Sequence, residues 1–263
     1  MTKTVVFLSD CHVGSRFAVS PLSFEMSDGS TFKANAVQRA LYHAWIESAA
    51  KWVHPDILVI NGEPIDGQGP KTRGVEQWTT NYLDQIDAAA ELIRLWGAKK
   101  IFLTTGSGYH VEQGGVSVEE IFGAKVKAEK VKGRFATDEL FLEVEDVTFN
   151  VAHHIASSIS GWNYRSTPIA KEMMLGQLVQ SHKWPFDVLV RSHVHYYWAV
   201  ESAGKLGLIT PAWELQTPFM KKKGTMGSVP DIGAVRFTVE GKSHNHEKLL
   251  YRLEEARPSK VKA

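Results

Sequence analysis

Five short apolar runs in this chain each stop abruptly at a cluster of acidic, histidine or amide residues, and that repetition limits the fold more than any other feature. The first run, Thr4 to Leu8, is continuous, β-branched and aromatic, the pattern of a strand buried on both faces, and it ends in Ser9-Asp10-Cys11-His12. Asp56 to Ile60 ends in Asn61-Gly62-Glu63-Pro64-Ile65-Asp66, and Lys100 to Thr104 leads to Gly106-Ser107-Gly108-Tyr109-His110-Val111-Glu112. Two later runs end in His153-His154 and Ser192-His193-Val194-His195. In open α/β sheets the carboxyl ends of the strands line the ligand crevice, so these clusters are expected to converge.

The segments between the runs have helical texture. Residues 15 to 34 are expected to form a loop, and Asn35 to N-cap an amphipathic helix reaching about Val53, with Val37, Leu41, Trp45, Ala49 and Trp52 on one face. Pro55 ends it. A second helix is expected from about Val75 to Trp96, with Gly97 just beyond its C-terminus. This βαβαβ order predicts parallel strands with helical crossovers.

The second half changes character. Glu139 to Val144 and Val147 to Ala152 flank Glu145-Asp146 as a hairpin, and a helix is expected from about Thr167 to His182. Asp187 to Val190, Tyr196 to Glu201, Gly207 to Thr210, Ala234 to Glu240 and Lys248 to Leu253 are expected as short, mostly antiparallel strands. Residues 221–230 are expected to be a mobile loop and residues 257–263 a frayed tail. Without repeats, linkers or low-complexity tracts, residues 1–263 are expected to form a single α/β domain.

Composition narrows the function classes. With 30 basic and 29 acidic residues, no global charge favours nucleic acid or a membrane surface. The single cysteine, Cys11, excludes an internal disulfide framework and suits a reducing cytosol; an inert core thiol is its expected role. The N-terminal apolar run is too short for a signal peptide, and none approaches the roughly 18 residues of a membrane span. A soluble cytoplasmic protein is expected. Oligomeric state is not legible in the sequence.

Six of the eleven histidines fall in the strand-end clusters. In Asp10-x-His12 and His193-x-His195 the paired residues, two apart, are expected to point to one side of extended backbone, with Cys11 and Val194 facing away. Imidazoles mixed with carboxylates suit Zn, Fe, Mn, Co or Ni rather than Ca. A carboxylate such as Glu63 can bridge two cations, and two cations about 3.5–4 Å apart suit phosphoester hydrolysis.

These residues resemble the signature of the calcineurin-like metallophosphoesterase superfamily, D-x-H, G-D-x-x-D, G-N-H-D/E, H and G-H-x-H. They stand here as Asp10-Cys11-His12, Gly62-Glu63-Pro64-Ile65-Asp66, Gly108-Tyr109-His110, His153 and Ser192-His193-Val194-His195, in order over about residues 4 to 200. The Gly106-x-x-Tyr109-His110 form resembles that of phage and bacterial members. The resemblance implies a four-layer α-β-β-α sandwich of two mixed sheets flanked by helices. It implies two divalent metal ions, Mn²⁺ foremost, with Fe, Zn, Ni, Co or Mg as the other candidates, and a metal-bridging hydroxide as nucleophile.

Carried over by motif, Asp10, His12 and His195 belong to the first metal, Glu63 to the bridge, and His153 and His193 to the second metal. His110 takes the place of the histidine that assists the leaving group, with Glu112 as the residue orienting it. His153 is preferred over His154 as the strand-end ligand. Glu63 in place of aspartate moves the carboxylate outward by about 1.5 Å. Tyr109 replaces an asparagine ligand, so Ser107, Glu112 or water would complete the second metal; Ser192 replaces a glycine. Asp66 is expected to be a turn or cap residue, and His43, His54, His182, His244 and His246 surface residues. Arg165 and Arg73 are candidate phosphate clamps, and Tyr196 a candidate for stacking against a base.

The expected function is two-metal phosphodiester hydrolysis on nucleotides or nucleic-acid ends, with the phosphoester as the partner and no membrane. A phosphomonoesterase or protein phosphatase is the alternative within the class. A weakly active or non-catalytic metal-binding scaffold is the rival from another class, because Glu63 and Tyr109 both depart from the signature.

Overall fold

Two mixed sheets stacked face to face carry the strand-end clusters to one side of the molecule. The computed structural model describes residues 1–113, 116–155, 164–179, 183–222 and 229–254. β1 (Lys3–Leu8) leads to a small hairpin, β2 (Ser23–Glu25) and β3 (Thr31–Lys33), then α1 (Ala36–Lys51) and β4 (Ile57–Asn61). After α2 (Tyr82–Arg94) and β5 (Lys100–Thr104) come the short α3 (Gly108–Val111), β6 (Glu112–Gln113), β7 (Val116–Ser117), α4 (Val118–Val126) and β8 (Ala136–Thr137). The second half supplies β9 (Leu140–Val144), β10 (Val147–Val151), α5 (Thr167–Leu178), β11 (Val188–Arg191), β12 (Trp198–Ser202) and β13 (Lys205–Ile209). It ends with α6 (Pro218–Lys222), β14 (Ile232–Glu240) and β15 (Ser243–Tyr251).

One sheet has the order β15-β14-β1-β4-β5-β8 and the other β12-β13-β11-β10-β9. β1, β4, β5 and β8 run parallel, as do β10, β11 and β13, while the remaining strands of the two sheets pair antiparallel. Side-chain alternation then sorts the layers. Val5 and Phe7 face the second sheet and pack with Phe149, Val190 and Leu208, whereas Val6 and Leu8 face Trp45, Ile86, Leu92 and Phe122 on the helical side. Leu189 and Ile209 turn outward to Ile169 and Met173 of α5. The layers are therefore helix, sheet, sheet, helix, as expected.

At the centre of the inter-sheet core, Phe7, Phe149 and Phe237 form a triangle with ring centroids 5.1–5.7 Å apart. α1 starts as expected: the Asn35 side chain accepts the Gln38 N–H, and the Gln38 side chain accepts the Asn35 N–H in return.

Several boundaries depart from the sequence expectation. The 15–34 loop contains the β2–β3 hairpin, on which Phe32 stacks against Trp78. The second helix begins only at Tyr82, because Asn81 caps it by accepting the Leu83 N–H, and turns occupy the residues before it. α5 ends at Leu178, where Val179 is its C-cap; residues 180–182, His182 among them, lie outside the described residues. Among the later strands, expected to be mostly antiparallel, β11 runs parallel to both its neighbours. In the expected mobile loop, Lys221 and Lys222 are helical; residues 223–228 and the expected frayed tail lie outside the described residues. Among the described residues no helix is long and apolar enough to cross a membrane.

Candidate metal centre

The side chains that converge do so from loops that leave the strands at once. β1 ends two residues before Asp10, β4 two before Glu63, and β11 two before His193. The loops continue to pair beyond the sheet: the Asp10, His12 and Val13 N–H groups donate to the carbonyls of Gly62, Glu63 and Pro64. Asp10, His12, Glu63, His193 and His195 all adopt positive φ, between 44° and 75°. The expectation of extended backbone for Asp10-x-His12 and His193-x-His195 is thus corrected, because the chain turns away immediately after the strand. Each such residue costs about 1–3 kcal/mol, tolerated only where the surroundings hold it in place. Gly62 has φ +76°, and a Cβ there would run into the His153 imidazole, so glycine is what lets the two sheets approach at this point.

Two clusters of ligand atoms, buried except at the half-buried His193, share one carboxylate. Asp10, His12, Glu63 and His195 form one, and Glu63, His153 and His193 the other; within each, ligand atoms lie within 4.8 Å of one another. In the first, His12 Nε2 is 2.9 Å from Glu63 Oε2, 3.3 Å from His195 Nε2 and 4.0 Å from Asp10 Oδ1. His195 Nε2 is 3.2 Å from Asp10 Oδ1. In the second, His153 Nε2 is 3.4 Å from Glu63 Oε1. The two oxygens of Glu63 therefore face different clusters, and its extra methylene does not prevent a bridging position.

Separations of about 3–3.4 Å are those of ligand atoms sharing a cation with bonds of about 2.0–2.2 Å. The partners point past one another: Asp10 Oδ1 and His153 Nε2 are buried with no hydrogen-bond partner. Buried polar atoms left in that state carry a large cost, which a cation removes. The donor set of imidazole and carboxylate fits a first-row divalent metal.

The outer nitrogens of His12 and His153 are held in place. The His12 Nδ1–H donates to Asp66 Oδ1 at 3.1 Å, and the Gln77 amide donates to Asp66 Oδ2 at 2.5 Å. The His153 Nδ1–H donates to the Asn61 carbonyl at 2.7 Å. Such bonds leave each Nε2 lone pair directed into the cluster. The Asn61 amide donates to Ser192 Oγ at 2.5 Å, and the Ser192 hydroxyl lies 2.6 Å from that of Thr210. Ser192 therefore joins a hydroxyl chain between the sheets that a glycine could not form.

Charge in the site is finely opposed. Burial alone would raise the pKa of Asp10 and Glu63, but the neighbouring histidines, His195 and His153 for Asp10 and His153 and His12 for Glu63, bring both below the ordinary range. Burial likewise opposes the protonated histidines, yet Glu214 and Glu63 raise His12 well above its usual value, and Glu63 and Asp10 raise His153 to about 9. His193 is lowered by burial. Cations bound in the clusters would displace any proton from these imidazoles.

No family model matches the chain, and no curated protein matches it in sequence. Among solved structures, a wild-type Vps29 complexed with Zn²⁺ from Entamoeba histolytica is 13% identical with TM-score 0.47, over 94% of this chain and 98% of that one. A predicted phosphoesterase from Streptococcus pneumoniae is 12% identical with TM-score 0.43, over 95% and 90%. A novel archaeal phosphodiesterase is 11% identical with TM-score 0.46, over 94% and 99%. Likeness at this level assigns no chemistry, which has to come from the side chains themselves.

Asp10, His12, Glu63, His153, His193 and His195 come together. His154 is exposed and belongs to neither cluster, its ring centroid 4.9 Å from that of His193. His110 lies beside the first cluster, its ring 4.7 Å from His12 and its Nδ1–H donating to the Asp66 carbonyl at 2.6 Å. The Ser107 hydroxyl donates to Glu63 Oε1, holding the bridge. The side chains of Tyr109 and Glu112 lie outside the described residues.

Two substrate-binding candidates are corrected. Tyr196 is buried in the core beside α5, and Arg165 lies over its ring at 4.4 Å, so this ring face is not open to a base. Arg165 is itself buried against that ring instead of projecting from the rim. His246, expected at the surface, is half-buried with Nε2 3.1 Å from the Tyr197 hydroxyl.

Three acidic residues gain roles that the sequence did not suggest. Asp66 orients both His12 and His110 rather than merely capping a turn. Glu119 of α4 is buried, accepts the Gly106 N–H, and is pushed by that burial up to about 8. Glu214 is buried with Oε2 3.8 Å from His12 Nε2, and burial holds its carboxyl above the usual range. Glu214 had a legible signal, since it follows the β13 run as another strand-end acid; Glu119 had none.

Proposed function

We propose that this chain is a metal-dependent phosphoester hydrolase acting by preference on diesters, such as nucleotides or nucleic-acid ends. The observation that carries the reading is the pair of buried clusters sharing Glu63, with Asp10 Oδ1 and His153 Nε2 unpartnered. Asp10, His12 and His195 would hold one divalent cation, His153 and His193 the second, and Glu63 both, with Mn²⁺ foremost. Two such cations lower the pKa of a bound water and neutralise charge on the phosphoryl oxygens.

The chain's own groups do the rest. Asp66 and the Asn61 carbonyl fix the tautomers of His12 and His153. His110, oriented by its bond to the Asp66 carbonyl, donates a proton to the leaving oxygen. Burial works against its protonated form, but Asp66 and Glu63 outweigh it and raise its pKa above the ordinary value.

Turnover of bis-p-nitrophenyl phosphate with Mn²⁺ is the test. It should exceed that of the monoester and should vanish in Asp10→Ala and His195→Ala. Absence of turnover on mono- and diesters with every divalent metal would overturn the proposal.

A further inference from the structure

The outer face of the second sheet is only partly covered. Alternation sends Leu140, Leu142, Phe149, Val151, Val188 and Val190 into the inter-sheet core, so Phe141, Asn150, Leu189 and Arg191 point the other way. α5 packs Ile169 and Met173 on Leu189, but beside it a cavity of about 180 Å³ remains. Asn150 and Arg191 line it with Leu175 and Gly176 of α5 and with Trp184 and Phe186 of the segment before β11. None of its lining residues belongs to the clusters around Glu63.

The polar part of this cavity is complete in charge and incomplete in hydrogen bonds. Lys183 Nζ donates to Glu139 Oε2 at 2.7 Å and Arg191 Nε to Glu172 Oε2 at 2.5 Å, so the charged groups lining it cancel in pairs. The Asn150 amide nitrogen donates to Glu139 Oε1 at 2.8 Å. A carboxylate only accepts, which fixes the orientation of the amide and turns Oδ1 away from Glu139. Asn150 is 2% exposed, and its Oδ1 has no hydrogen-bond partner among the described residues. A buried carbonyl oxygen left so is costly until something donates to it. Three aromatic rings stand around this acceptor, Phe141, Trp184 and Phe186, and the indole of Trp184 is 74% exposed.

We propose that this cavity binds one neutral, planar heterocycle carrying an N–H donor, the chemistry of a nucleobase. The N–H donates to Asn150 Oδ1 and the ring stacks on Trp184. A charged ligand would have to disrupt an ion pair or sit desolvated beside two that are already matched. The volume lies below the roughly 300–1,000 Å³ of pockets for drug-sized ligands, so a single ring system fills it.

Free nucleosides are the probe, because they carry no phosphate for a metal centre to hold. Adenosine, guanosine, cytidine and uridine are titrated into the full chain by calorimetry and by nuclear magnetic resonance. At least one should bind and shift the Trp184 indole Nε1–H signal, identified by its absence in Trp184→Phe. Asn150→Leu removes the acceptor and should weaken binding about 10-fold. Trp184→Ala, at an exposed position that folding does not need, should weaken it by about 5–100-fold. Asp10→Ala should bind as the wild type does. Binding of none of the four nucleosides overturns the inference, as does affinity unchanged in the folded Asn150 and Trp184 variants. Binding lost in Asp10→Ala but kept in Trp184→Ala puts the nucleoside at the metal centre, which overturns this site and leaves the hydrolase reading standing. A wild-type dimer that becomes monomeric in Trp184→Ala, without nucleoside binding, gives the face to a second copy and overturns it equally.

Discussion

Asp66 links two of the histidines on which the proposed chemistry depends. Its carboxylate receives the His12 Nδ1–H and the Gln77 amide, and its backbone carbonyl receives the His110 Nδ1–H. Asp66→Asn preserves the shape but not the charge facing His12. It is expected to weaken cation binding at the first site by about 10–100-fold while leaving the fold intact, as metal titration alongside circular dichroism would read. The histidines were legible because their residue type announces metal chemistry at strand ends. The role of Asp66 was not, since an acid four residues after a Gly is equally at home in a turn; only the distance to His12 separates the two. Tyr196 misled for the opposite reason: an aromatic after the last motif looks available in sequence, and Arg165 covers its face only in three dimensions.

Among the elements, β1 and β10 do the most to set the site, because each buries one face between the sheets and delivers ligands at its end. Phe149 of β10 packs on Phe7 and Phe237, and His153 follows two residues after the strand. Phe149→Ala is expected to cost about 3–5 kcal/mol in equilibrium denaturation, because the opposing sheets cannot close the cavity without moving the site. The continuous apolar texture of β1 and the capping box of α1 are local signals, which is why those elements stood where expected. α4 carried weaker signals, being short and bounded by residues of mixed character. The pairing direction of β11 was not legible, because a strand of four residues fits either ladder until its neighbours are known.

For the molecule as a whole, acid stability has a contributor remote from the metal centre. Asp56 accepts from Thr4 N at 2.9 Å, Thr4 Oγ1 at 3.1 Å and Lys99 Nζ at 2.8 Å, joining the starts of β1, β4 and β5. The Lys99 hydrogen bond leads in lowering its pKa from 3.8 to about 2; burial opposes it, and the two Thr4 bonds add to the lowering. A carboxyl lower in the folded than in the unfolded state stabilises at pH values above 3.8, and that contribution is lost as pH falls toward 2. Discounting the exposed Lys99, the contribution is about 1–2 kcal/mol. Asp56→Asn should therefore lower stability at neutral pH by that amount and flatten the acid limb of the stability curve, followed by urea denaturation across pH.

What the sequence determined by itself was most strands of the two large sheets, their apolar faces and the chemistry waiting at their ends, because periodicity and residue type are local properties. It also determined that Gly62 and His153 stand within two residues of their strand ends. Only the tertiary structure decided that Glu63 could face both clusters, that the ligand residues turn into positive φ on leaving their strands, and that Glu214 lies beside His12. Those outcomes depend on how closely two sheets approach and which loops press on each other, and neither quantity exists until the chain has packed.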